Sequence, residues 1–80
     1  MKNLYEIPFF QSVYVKKIQH ETEMKRRLMD LGFTIGSEIT PLMESLSGNM
    51  KSYKVKGCVI ALRKQDAICI MVEEKRDRGA

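Results

Sequence analysis

Metal-site chemistry is nearly missing from this sequence. It has one histidine, His20, and two cysteines, Cys58 and Cys69, in 80 residues. A structural zinc site normally takes four such ligands. Glu21, Glu23, Glu73, Glu74 and Asp77 form no recognisable cage, so neither a metal site nor a cofactor is expected. Two cysteines do not make the disulfide framework of a small secreted scaffold. No serine sits in a nucleophile elbow, no glycine-rich phosphate loop is present, and nothing titratable is tied to His20. Catalysis needs several convergent groups, so no catalytic residue is expected and the chain reads as a non-enzyme. Met1–Pro8 carries no long apolar run, which argues against a signal peptide or a membrane span and makes the cytoplasm the expected compartment. Aromatic platforms for stacking bases are scarce. Only Tyr14 and Tyr53 are candidates and Tyr53 is expected to face inward, so no nucleic-acid partner is expected.

What the chain does have is a formal net charge of +4, from 14 basic and 10 acidic residues. Such a balance suits an acidic partner or simply a solvated surface. Its organising stretch is Met24 to Phe33. Met24, Leu28 and Leu31 fall on one stripe of a helix. Thr22 is the expected N-cap, and Glu21 and Glu23 complement the positive helix end. Gly32 is the expected C-cap, with Phe33 folding back on the last turn. A helix of about ten residues is marginal alone, so strands must supply the surface it packs on.

Those strands are legible on either side. Leu4, Ile7, Phe9 and Phe10 form a lead-in that Pro8 keeps from regular pairing. Residues 13–18 alternate as a strand, and Ile18 breaks the alternation, as at a bulge. Residues 37–44 form another, with Ile39, Pro41 and Met43 on one face and Pro41 implying an edge or bulge. A third runs over 50–56 with Tyr53 and Val55 facing one way, and Gly57 marks a corner. Residues 58–63 and 67–72 are expected to pair as a hairpin around 64–66, with Cys58, Ile60, Leu62, Ile68, Ile70 and Val72 on one buried face. Cys58 is then a small core residue and Cys69 points outward. The other face, with Val59, Ala61, Cys69 and Met71, is expected to lie under the helix. The architecture is mainly β with one or two short helices: a small barrel of about five strands with a helix after the first. Residues 1–73 form one domain, and 74–80 a flexible charged tail.

Lys25, Arg26 and Arg27 form a basic cluster on the exposed side of the helix, fit for electrostatic contact. With Leu31, Phe33 and Ile35 they are the candidate partner-binding residues.

Two stretches carry a family resemblance. Arg27-Leu28-Met29-Asp30-Leu31-Gly32-Phe33-Thr34-Ile35-Gly36 resembles the arginine-leucine-x-acidic-leucine-glycine-hydrophobic-x-proline-glycine signature of the FeoA family. Gly57-Cys58-Val59-Ile60-Ala61-Leu62-Arg63 resembles its second signature, and Ala67 to Val72 its closing strand. The likeness runs from about Leu4 to Val72. It implies an SH3-like barrel with an inserted helix. It also implies a non-enzymatic cytoplasmic accessory protein of bacterial ferrous iron uptake, acting by contact with the FeoB-type membrane Fe(II) transporter and its GTPase domain. The chain would then be peripheral to the membrane through that partner only. The family context is transition metal ion transport and binding, but a metal-carrying chain would need ligands this one lacks. The alternative reading is a stand-alone regulatory barrel related to the C-terminal domain of iron-dependent repressors, or a weak nucleic-acid-binding barrel. Exposed strand edges also allow a weak homodimer. Three positions depart from the family pattern: Ile35 where proline is usual, Phe10 where glycine is frequent, and Lys51 where an apolar residue is usual.

Overall fold

The computed structural model describes residues 1–74. Six antiparallel strands make one sheet: β1 (Lys2–Asn3), β2 (Val13–Ile18), β3 (Glu38–Glu44), β4 (Met50–Val55), β5 (Cys58–Arg63) and β6 (Ile70–Glu74), in the spatial order β1-β6-β2-β3-β4-β5. Helix α1 (Thr22–Leu31) follows β2, the short helix α2 (Lys64–Ala67) follows β5, and a 3₁₀ turn (Leu4–Glu6) follows β1. The sixth strand relative to the sequence expectation is the two-residue β1, too short to carry a period.

Alternation builds the core. Val13, Val15 and Ile18 from β2, Ile39 and Pro41 from β3, Tyr53 and Val55 from β4, and Ile70 and Val72 from β6 are buried together with Leu28 and Phe33. Register shifts fall between Val15 and Lys17 and between Pro41 and Met43. The first lets Ile18 return to the core after two exposed lysines. The second turns Met43 out to solvent, so it does not share the buried face of Ile39 and Pro41. Leu4 and Ile7 of the lead-in are buried, and Phe9 and Phe10 are not.

The expected hairpin of 58–63 with 67–72 does not form. β5 pairs with β4, Val55 facing Cys58 across the turn Lys56–Gly57, where both residues have positive φ. That is the geometry of a tight two-residue hairpin. Residues 64–67 coil instead of looping: Ile68 N–H donates to Lys64 O at 3.0 Å and Cys69 N–H to Asp66 O at 3.1 Å. β6 then crosses to lie between β1 and β2, with Val15 facing Val72 and Lys2 also facing Val72. Pairing on both edges satisfies more of its backbone than a terminal hairpin could. Cys58, at the outer end of β5, is exposed rather than in the core, and Ile68 lies in the turn and is exposed. Glu73 and Glu74 are paired strand residues, reinforced by ion pairs to Lys16 at 3.4 Å and Lys2 at 3.2 Å. The strand therefore extends through the position where the tail was expected to start, and the rest of that tail lies outside the described residues.

Phe10 holds a left-handed backbone, φ 68°, with its ring 75% exposed and its N–H donating to Pro41 O at 2.7 Å. A bulky residue is disfavoured there by about 1–2 kcal/mol. Phe10→Gly is expected to raise stability by about 0.5–1 kcal/mol once the greater freedom of unfolded glycine is subtracted. A urea midpoint moved to lower concentration would contradict this. Lys51, the other departure in this region, is half-buried. Its ammonium donates to Tyr5 O at 2.8 Å and lies 4.1 Å from the Tyr5 ring centroid. It fastens the lead-in to the β3–β4 hairpin, a task that suits a cation more than an apolar side chain.

Candidate partner-binding surface

Helix α1 starts without a side-chain cap. Glu21, not Thr22, is the N-cap residue, and neither side chain takes an orphan N–H. The C-terminal end is held by backbone hydrogen bonds. Gly32 has φ 115°, and its N–H reaches Leu28 O and Met29 O. Phe33 N–H donates to Leu28 O at 2.9 Å. The Phe33 ring is fully buried and meets Tyr53 edge-on, centroids 6.5 Å apart at 84°. The following turn is tied down too: Gly36 N–H donates to Val15 O at 2.7 Å, and the hydroxyls of Thr34 and Ser37 lie 2.6 Å apart.

The six candidate contact residues separate on this frame. Lys25, Arg26 and Arg27 are exposed, and among the described residues none forms an ion pair. Leu31 is 44% exposed and Ile35 61% exposed. Phe33 is different: its side chain is in the core and offers nothing to a partner. Its hydrophobicity serves to anchor the helix to the sheet, not to seat a partner. The apolar stripe of α1 is likewise only partly used. Leu28 is buried and Met24 half-buried. The helix does not cover the outer face of β5, where Val59 is 67% exposed and Ala61 also faces solvent.

Sequence reasoning misses the role of His20. It is largely buried, accepting the Glu21 N–H at Nδ1 (2.8 Å) and meeting Asp66 Oδ1 through Nε2 at 3.1 Å. With Nδ1 accepting, the neutral ring carries its proton on Nε2 and donates it to Asp66. The start of α1 is thereby linked to α2, 46 residues on. No local signal announces a bond over that separation. Asp66→Ala should cost about 1.5–3 kcal/mol, the range for hydrogen bonds to charged groups, and Asp66→Asn less than half of that, because the amide oxygen still accepts. Equal losses on denaturant unfolding would rule out the bond as the cause. Asp66 also faces Cys69: burial first, and then the Asp66 charge, push the Cys69 thiol up from its usual range, so it stays protonated at neutral pH.

Among the described residues no group of three or more His, Cys, Asp or Glu side chains is arranged to hold a metal ion, and no helix is long and apolar enough to cross a membrane.

The family model for the FeoA domain matches residues 2–74. The chain belongs to the FeoA family. That family is one of non-enzymatic accessory domains linked to ferrous iron transport. The FeoA fold is reproduced in detail. The solution structure of FeoA from Chlorobium tepidum has 27% identity and a TM-score of 0.86, over 96% of this chain and 74% of that one. The crystal structure of Stenotrophomonas maltophilia FeoA complexed with zinc, described as a prokaryotic SH3 domain protein, has 28% identity and a TM-score of 0.79, over 91% of both chains. A manganese-dependent transcriptional repressor shares the fold at 19% identity and a TM-score of 0.84, over 92% of this chain but 36% of the repressor. At that identity the likeness concerns the fold alone. A comparison with curated proteins returned no match. The FeoA signature coincides with the end of α1 and the turn after it, where Gly32, Phe33 and Gly36 do structural work and Arg27, Leu31 and Ile35 remain accessible.

Proposed function

We propose that this FeoA-family chain is a cytoplasmic accessory protein that acts by binding a FeoB-type membrane Fe(II) transporter, with Lys25, Arg26 and Arg27 of α1 and the neighbouring Leu31 and Ile35 as the contact. It reaches the membrane only through that partner. The observation that carries the reading is the pairing of three exposed cations, which form no ion pair among the described residues, with two exposed aliphatic side chains on a helix end and turn held by the Gly32 cap. Exposed charges steer encounter, and a fixed apolar neighbour adds desolvated area. The Stenotrophomonas relative is itself described as a candidate activating factor of ferrous iron transport, which supports a protein-contact role.

Arg26→Glu tests the surface. Arg26 is exposed and makes no ion pair among the described residues, so the fold should be unaffected. Affinity for the transporter's cytosolic part is expected to fall about tenfold at low salt, equivalent to roughly 1.4 kcal/mol, with the difference shrinking as salt rises. Unchanged fold with unchanged affinity would remove this face from consideration.

A further inference from the structure

We propose that the groove between α1 and the free edge of β5 takes an extended, acidic and apolar segment of a partner protein as an added strand. This goes beyond the transporter contact proposed above: it concerns a groove that shares Arg27 and Leu31 with that surface but excludes Arg26, and it names the kind of segment recognised.

The groove encloses about 360 Å³. It is lined by Met24, Arg27, Leu28 and Leu31 of α1, by Ala61, Leu62 and Arg63 of β5, by Met50 of β4 and by Gln65 and Asp66 of α2. Consecutive strand residues line it, from Ala61 through Arg63. Successive strand residues point to opposite faces, so the groove is reached from both faces of the sheet, which places it where the end of β5 meets α1, with Met50 of β4 reaching it beside Arg63. β5 is the last strand in the sheet and, among the described residues, pairs only with β4. Edge strands are normally guarded by charge, proline or a covering element. From Cys58 to Leu62 this edge has neither a charged residue nor a proline, and α1 stands off instead of covering it. An added strand would meet main-chain groups on one side and the leucines of α1 on the other, which is the logic of β-augmentation.

Charge decides the occupant. Arg27 and Arg63 form no ion pair among the described residues, while the one acidic residue lining the groove, Asp66, is already bonded to His20. A second copy is disfavoured by the same charges. Two-fold antiparallel pairing of β5 about Ile60 and Ala61 would set Arg63 opposite the partner copy's Cys58, beside its Lys56, so like charges would meet at both ends. An acidic segment meets the opposite sign throughout.

The test uses isotope-labelled full chain and a synthetic peptide of about eight residues alternating leucine and glutamate. Saturable amide shifts are expected along residues 59–63 and along α1 at Leu28 and Leu31. Affinity should fall about tenfold or more for Arg63→Glu, for Leu31→Glu and for the peptide with methylated backbone nitrogens. A leucine–lysine peptide should bind at least about tenfold more weakly. Arg26→Glu should change peptide affinity by less than about twofold, because Arg26 lies off the groove. That variant therefore distinguishes the groove from the transporter contact proposed above, which it weakens, even though the two surfaces share Arg27 and Leu31. No saturable shift up to about 1 mM peptide, equal binding of the methylated or lysine peptide, or concentration-dependent dimerisation through β5 would each overturn the proposal.

Discussion

Gly32→Ala is expected to cost about 2–5 kcal/mol, combining a backbone penalty of about 1–2 with overpacking of about 1–3. Gly32 sits at φ 115°, and a Cβ added there would lie 2.8 Å from Val55 Cγ1, inside the closed core. Val55 is itself buried on β4, so it has little room to retreat. Gly36→Ala provides the control. Gly36 also has positive φ, at 88°, but nothing lies within 4 Å of where its Cβ would be. Only the backbone penalty applies there, about 1–2 kcal/mol. In a chain of this size each kcal/mol moves the Tm by roughly 4–8 °C. Thermal unfolding of the two variants should therefore differ clearly. Equal losses would show that α1 does not approach β4 as described.

Phe33→Ala should be as severe or worse, about 3–5 kcal/mol. The ring is fully buried, packs edge-on against Tyr53, and follows directly on the helix cap. Against a total stability of about 4–12 kcal/mol for 80 residues, such a loss leaves a substantial unfolded population. Phe33→Leu keeps most of the buried volume and should fall well short of that cost. The variants distinguish a core residue from a contact residue. If Phe33 were a surface anchor, alanine would leave the unfolding midpoint unchanged and weaken only partner binding.

How much of this is legible in the sequence follows from the range of the interactions involved. Local signals are strong. The period of α1, the cap at Gly32, the alternation of Val13 with Val15 and of Tyr53 with Val55, and the Pro41 bulge all rest on residues within a few positions of one another. The sequence misplaces the last strand because two registers satisfy the same alternation. Ile70 and Val72 face the core either beside β5 or beside β2, and only long-range pairing with Val15 and Lys2 chooses. Cys58 follows from that error: its parity is right for the core, but the core ends before it. The His20–Asp66 bond depends on a distant chain crossing, and no local pattern encodes it. At the candidate surface, the cations are legible as cations. Whether an adjacent hydrophobe is exposed, as Ile35 is, or buried, as Phe33 is, depends on the direction the chain takes after Gly32.

Contact with the iron transporter through the basic helix and the turn that follows is the proposed mode of action. The most direct measurement is a titration of labelled chain into full-length cognate FeoB-type transporter in lipid nanodiscs, with wild type and Arg26→Glu compared at low and high salt. Saturable binding to the wild type, weakened by salt and by the charge reversal, is expected. Absence of saturable binding, or binding indifferent to both salt and Arg26, would contradict it.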